Sequence, residues 1–220
     1  MKEYLGNIPA SPLFEGIEDN ELQSVLRCLS PVIRFFDKGA YILRQGDCTE
    51  ELGLVLSGAV SVVKEDFWGN QTIMARILPG QLFAETYACL PGTPLSVSAV
   101  SEVPCSVLLL NVGRILAVCG EACPFHSRLV RNLLGVLAEK NLLLNEKITH
   151  TSQRTTRDKL LSYLSAESQR QGGGSFLCPF NRQQLAAYLS VDRSAMSAEL
   201  GRMRDEGLIR YDKNRFTLIG

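Results

Sequence analysis

Between Val32 and Val112 the chain runs as short apolar stretches broken by turn residues, as in "YILRQGDCTEELGLVLSGAVSVVKEDFWGNQTIMARILPGQLF". Gly46-Asp47, Ser57-Gly58, Gly69-Asn70 and Pro79-Gly80 recur about every 11 residues, the cadence of short antiparallel strands. This segment is therefore expected to be an all-β sandwich or barrel. Ahead of it, "DNELQSVLRCL" places Leu22, Val25, Leu26 and Leu29 on one helical face, with Asp19 positioned to cap the helix.

The period then changes. From Cys123 to about His150 apolar residues fall at helical spacing, and Val130, Leu134, Leu137, Asn141, Leu144 and Ile148 advance by alternating fours and threes. A second stripe, Leu129, Leu133, Val136 and Leu143, lies to one side. One helix carries more apolar surface than a single partner face covers. The seam is assigned to the same helix of a second chain and the side stripe to the β domain; the alternative is a helix buried wholly within its own monomer. Asn141 in an otherwise apolar seam is a device for setting register and dimeric state.

"TTRDKLLSYLSAESQRQGGG" follows as an amphipathic helix ended by three glycines. Beyond them, Asn181 and Gln184 form a capping box for a helix through Leu189, with Leu185 and Leu189 inward. Ser190 and Val191 make a tight turn, and Asp192 caps the next helix. There Met196, Leu200 and Met203 share a stripe that packs on the first helix, while Arg193, Ser194, Ser197, Ala198 and Gly201 lie opposite. "IRYDKNRFTL" then reads as two short strands around Asp212 to Asn214. A helix with a small outward face enters a major groove closely, and an arginine fork suits guanine or phosphate. The expected DNA contacts are Arg182, Gln183, Arg193, Ser194 and Ser197 from the two helices, and Lys213 and Arg215 from the wing. A helical pair serving only protein–protein interaction is the competing reading.

Charge favours the DNA reading. The 220 residues carry 23 basic and 23 acidic side chains, but residues 1–150 hold 12 basic against 16 acidic, a net of −4, and residues 151–220 hold 11 against 7, a net of +4. The basic end is the one suited to a polyanion. Seven cysteines, odd in number and scattered, argue against a disulfide framework and for a reducing compartment. No basic segment leading into an apolar stretch opens the chain, and nothing approaches about 18 uninterrupted apolar residues. The expected location is the cytoplasm, without membrane contact.

In "CGEACPFH", Cys119, Cys123 and His126 sit at spacings of four and three. These are weak candidates for a metal site or a redox pair, with Cys105 a possible fourth ligand; buried cysteines acting as small hydrophobes are the commoner case. An enzyme on a cupin-like barrel would need a histidine cluster on the strands. The two histidines, His126 and His150, lie outside the β segment, and no Gly-x-Ser-x-Gly or phosphate loop occurs. The expectation is a non-enzyme.

With "GD" at 46–47, "LSGAVSV" at 56–62, "LPGQLFAE" at 78–85 and "LSVDRSAMSAELGRMRDEGLI" at 189–209, the chain resembles the Crp/Fnr family of bacterial transcription regulators over nearly its whole length. The resemblance implies an α+β protein: an antiparallel β-roll of the cyclic-nucleotide-binding jelly-roll kind over 1–120 with a short N-terminal helix, a dimerisation helix over 121–152, and a winged helix-turn-helix over 153–220. It also implies a homodimer that binds a near-palindromic operator, works with RNA polymerase, and re-aims its recognition helices when an effector enters the β-roll. The implied effector pocket comprises Phe83, Glu85, Thr86, Leu95, Ser96 and Leu142.

Departures from the family pattern bear on the effector. Where the cyclic-AMP branch has an Arg-Ser pair for the cyclic phosphate, this chain has Leu95-Ser96, and its adenine-contacting Thr-Ser pair falls on Leu142 and Leu143. A buried phosphate without a cation is strongly disfavoured, so cyclic AMP is not the expected ligand and the cofactor is left unknown. The N-terminal cysteine cluster of the oxygen-sensing branch is absent from the first 20 residues. The family's frequent Arg-Glu pair is Arg193-Ser194 here, and a second Arg one turn on is Ala198, which points to a different half-site. A regulator whose β-roll is only a scaffold remains the alternative.

Overall fold

The computed structural model describes Ile8 and residues 10–68, 71–117 and 124–219. They belong to two compact units, Met1–Ala138 and Glu139–Gly220.

In the first unit a 3-10 turn at Pro12–Phe14 leads to α1 (Asp19–Leu29). Its N-cap is Glu18 rather than Asp19, with the Glu21 carboxylate accepting from the Glu18 N–H at 3.1 Å. Leu22, Val25 and Leu29 are buried as their spacing requires. Six strands follow: β1 (Val32–Phe36), β2 (Tyr41–Leu43), β3 (Glu51–Glu65), β4 (Gln71–Ile77), β5 (Leu82–Phe83) and β6 (Ser98–Asn111). All pair antiparallel in the order β1-β6-β3-β4, with β2 also on β6 and β5 on β3.

The expectation of uniformly short strands fails at Ser57-Gly58. These residues do not turn the chain; they lie inside β3, which runs for 15 residues. Gly58 has φ +78°, the register with β6 shifts beside it, and a Cβ there would sit 2.4 Å from the Pro104 carbonyl oxygen. This glycine bends a long strand through a bulge rather than ending a short one. Both faces of β3 are buried, as the period of two then dictates. Leu52, Leu54 and Leu56 join α1 and the start of the long helix in one core, while Val55 and Val60 join Phe83, Val107 and Leu109 in another.

Two short helices, α2 (Glu85–Ala88) and α3 (Val112–Leu116), flank β6, and α4 (Pro124–Thr151) then runs from the first unit into the second. Leu129, Leu133 and Val136 are buried in the first unit's core, as their stripe predicts. Leu143 departs from that expectation: it belongs to the second unit and is exposed. The seam also divides. Val130 and Leu137 are half-buried against the first core, whereas Leu134, Asn141, Leu144 and Ile148 face outward.

The second unit holds α5 (Thr156–Arg170), β7 (Ser175–Leu177), α6 (Arg182–Leu189), α7 (Arg193–Asp205), β8 (Ile209–Asp212) and β9 (Arg215–Leu218). Thr155 caps α5 by accepting from the Asp158 N–H at 3.1 Å, and Gly172, Gly173 and Gly174, all at positive φ, follow its end. The wing is three-stranded, β7-β9-β8, because β7 adds to the hairpin read from the sequence. Leu160, Leu164, Leu185, Leu189, Met196, Leu200, Met203 and Phe216 form the core of this second unit. Each such side chain stabilises the fold by about 1.5–3 kcal/mol through burial.

Candidate nucleic-acid interface

The helix pair is built by reciprocal caps. Asn181 Oδ1 accepts from the Gln184 N–H and Gln184 Oε1 from the Asn181 N–H, each at 2.9 Å. Ser190, at φ +53°, ends α6 in the left-handed conformation, and the Val191 N–H bonds the Ala186 carbonyl at 3.0 Å. Asp192 then caps α7. Its Oδ1 accepts from the Ala195 N–H at 2.8 Å and from the Ser194 hydroxyl at 2.5 Å. These bonds, the hydroxyl first and the backbone second, hold the Asp192 carboxyl below the usual carboxylate range. The anchoring stripe Met196, Leu200 and Met203 is fully buried.

On the other side Arg193, Ser194, Ser197 and Ala198 are exposed and Gly201 is half-buried. Ser197 donates to the Arg193 carbonyl at 2.9 Å, so both serine hydroxyl protons are used within the chain. Their oxygens keep lone pairs for accepting. Gln183 from α6 is exposed, as are Lys213, the first residue of the two-residue loop of the β8–β9 hairpin, and Arg215, which follows that loop. Lys213 holds φ +50°.

Arg182 is placed differently. Its guanidinium lies 4.9 Å from the ring centroids of both Tyr211 and Phe216 and donates to the Lys213 carbonyl at 3.0 Å. Burial lowers its pKa. Arg182 thus ties the start of α6 to the tip of the wing and brings those two parts of the surface together.

Sequence reasoning missed Glu199. It is buried on α7, with Arg157 Nε donating to it at 2.6 Å and Arg202 Nη2 forming an ion pair with it at 3.1 Å. The available signal was a carboxylate at helical spacing among Met196, Leu200 and Met203, which cannot be buried without a cation.

In the sensor region Phe83 and Leu95 are buried, and Gly53 is required opposite Phe83, since a Cβ there would fall 2.2 Å from the ring. Glu85 is buried, Thr86 and Ser96 are exposed, and the Ser96 hydroxyl lies 2.5 Å from that of Tyr87. Leu142 stands exposed in the second unit. A separate concavity, lined by Tyr41, Arg44, Gln45, Glu65, Asp66 and Ser98, shares no residue with the expected pocket.

Of the metal candidates, Cys119 and Cys123 lie outside the described residues. His126 is buried with Nε2 at 3.7 Å from Cys28 Sγ. Cys105 does not join it; its sulfur takes the Ser101 hydroxyl at 3.3 Å within the strand core. Among the described residues no three His, Cys, Asp or Glu side chains cluster as a metal site, and no helix is long and apolar enough to cross a membrane.

Residues 33–121 match the model of the cyclic nucleotide-binding domain, and residues 158–219 that of the Crp-like helix-turn-helix domain. The chain belongs to the Crp/Fnr family of transcription regulators. The order of β-roll, long helix and winged helix-turn-helix is accordingly that of a DNA-binding regulator. Among relatives, the cyclic AMP receptor protein of Thermus thermophilus is 28% identical over 200 residues, covering 91% of this chain and 88% of that protein. A CRP-like cAMP-activated global transcriptional regulator of Mycobacterium tuberculosis is 19% identical over 201 residues, covering 91% and 88%. The crystal structure of Thermus thermophilus catabolite activator protein aligns with a TM-score of 0.50 at 27% identity, over 95% of this chain and 94% of that one. These members of the Crp/Fnr family are transcription regulators, not enzymes.

Proposed function

We propose that this Crp/Fnr regulator acts in the cytoplasm as a homodimer, closed through Leu134, Asn141, Leu144 and Ile148 of α4, that sets two α7 helices into successive major grooves. The observation that carries this reading is the two-faced α7. Met196, Leu200 and Met203 anchor it, while Arg193, Ser194 and Ser197 stand outward on a face small enough for close approach. The outward apolar residues of α4 supply the reason for a second chain. A two-fold dimer reads a near-palindrome with half-sites about 34–36 Å apart, or a multiple of that spacing. Arg193 would fork onto guanine O6 and N7. Ser194 and Ser197, with their protons used internally, would accept from base amino groups. Gln183, Lys213 and Arg215 would hold phosphates, with Arg182 shaping the surface beside them. RNA polymerase is the expected further partner.

The same reading makes the effector something other than cyclic AMP. Leu95 stands buried where a cation would be required, and the Ser96 hydroxyl is already engaged with Tyr87. Those two features equally favour a second reading, in which the β-roll is a filled scaffold. Selection of bound sites from random DNA, with and without cell extract, tests both. Enriched near-palindromes bound by two chains are expected. Enrichment of single, asymmetric half-sites would overturn the dimeric reading, and an identical outcome without extract would favour the scaffold.

A further inference from the structure

Asp192 is exposed at the start of α7, and its Oδ1 holds both the Ala195 N–H at 2.8 Å and the Ser194 hydroxyl at 2.5 Å. The direction of the second bond is fixed by charge. An ionised carboxylate only accepts, so the single hydroxyl proton of the pair belongs to Ser194 and points back at Asp192. The same bonds lower the Asp192 pKa and so keep the carboxyl ionised. Ser194 is itself exposed, directly after Arg193, and has only lone pairs to offer outward. Ser197 differs: it gives its proton to the Arg193 carbonyl at 2.9 Å, a backbone group that no other side chain controls. A serine hydroxyl in a major groove ordinarily serves either kind of base edge, since it rotates to donate or to accept. Cytosine and adenine present amino donors there, at N4 and N6, whereas guanine and thymine present the O6 and O4 acceptors. A serine whose proton is already held meets the first two with a hydrogen bond and the other two with acceptor against acceptor.

We propose that Asp192 is a specificity-determining positioning residue: by holding the Ser194 proton it makes Ser194 an acceptor alone, which requires cytosine or adenine opposite it in each half-site. The proposal rests on α7 lying in the major groove, as read above, and adds a residue that acts on the base through its neighbour. Asp192 also carries a cost. A carboxylate beside phosphates repels them, so it weakens binding to every sequence while sharpening the choice at one base pair. A residue that merely capped the helix would do neither.

The test uses the full-length chain and the operator recovered by selection from random DNA. Each half-site position is replaced in turn by all four bases, and affinity is read by fluorescence anisotropy. At one position of each half-site cytosine or adenine should be preferred to guanine and thymine by about tenfold. Ser194→Ala should remove that preference and leave the others. Asp192→Ser keeps a good cap, but its hydroxyl can donate as well as accept, so the same preference should fall to about threefold or less. Asp192→Asn, whose side-chain carbonyl only accepts, should restore it, and both Asp192 variants should bind random duplex more tightly than the parent chain. A preference lost in Ser194→Ala but kept in Asp192→Ser would overturn the role of Asp192. So would guanine or thymine at that position of the selected operator, or an equal loss in Asp192→Ser at all positions, which is the mark of a lost cap. If neither Arg193→Ala nor Ser194→Ala alters any preference, α7 does not read the groove, and the proposal falls with that reading.

Discussion

Arg157 grips Glu206 with both arms of its guanidinium, Nη1 donating to Oε2 at 2.8 Å and Nη2 to Oε1 at 2.7 Å. Its Nε donates to Glu199 at 2.6 Å, so one side chain from the start of α5 fastens both the middle and the C-cap of α7. The hydrogen bonds to Glu206 and then Glu199 raise the Arg157 pKa, and Arg157 in turn holds the Glu206 carboxyl below its ordinary value. Lysine carries the charge without the planar fork. Thermal melting should therefore rank the parent chain above Arg157→Lys, and Arg157→Ala lowest, since alanine leaves buried Glu199 to Arg202 alone. Equal melting temperatures would remove the clamp from the stability of this unit. Because the folded Glu206 pKa is lowered, its contribution is complete above the ordinary carboxylate range and is lost as pH falls from there through the lower folded value.

Arg193 and Arg215 should fail in different ways. Arg193→Ala is expected to weaken the specific operator by about 1–3 kcal/mol and to relax preference at one base pair. Arg215→Ala should weaken all sequences alike and reduce the slope of log affinity against log salt by about 1. Fluorescence anisotropy with operator and random duplexes over a salt series distinguishes them. Equal loss for Arg193→Ala on both duplexes would make it a phosphate contact, and an unchanged slope for Arg215→Ala would remove the wing from the interface.

Leu144 is 60% exposed on α4. In a two-fold seam it would be buried twice, at about 1.5–3 kcal/mol each, so Leu144→Glu should raise the dimer dissociation constant by about 100-fold or more. Sedimentation velocity reads this directly. A variant as dimeric as its parent would place the seam elsewhere.

His150 is buried at the end of α4. Its Nδ1 lies 2.8 Å from the Ser162 hydroxyl and its ring stands edge-on to Tyr163. Burial lowers its pKa, with Arg170 adding to the shift and Glu146 opposing it. The unfolded chain therefore binds the proton more readily. The associated stability is complete above the ordinary imidazole value of about 6.5 and is lost as pH falls from there towards the lower folded value. Urea unfolding between about pH 5 and 8 should show a declining midpoint on the acid side that His150→Gln flattens. The same slope in both proteins would assign it to other groups.

Local chemistry explains why so much of the DNA-facing unit was legible. The Asn181–Gln184 box, the Asp192 cap and the Met196, Leu200, Met203 stripe are relations within four to seven positions, where helical geometry leaves little freedom. Gly58 was misread because a glycine after serine signals a turn and a bulge alike; only the neighbouring strand, with Pro104 and Cys105 against it, distinguishes the two. Leu143 was assigned by spacing to a stripe that α4 carries past the end of the first unit.

By itself the sequence determined the order of strands, long helix and helix-turn-helix, the caps that begin α6 and α7, and which side of α7 is anchored. Those follow from periodicity and from backbone groups that must be satisfied nearby. Only the tertiary structure decided that Arg157 serves Glu199 and Glu206, that Arg182 lies on Tyr211 and Phe216, and that Cys28 meets His126. Such pairs join residues tens of positions apart, and no local rule specifies them; they arise where packed elements bring a buried charge or donor to its partner.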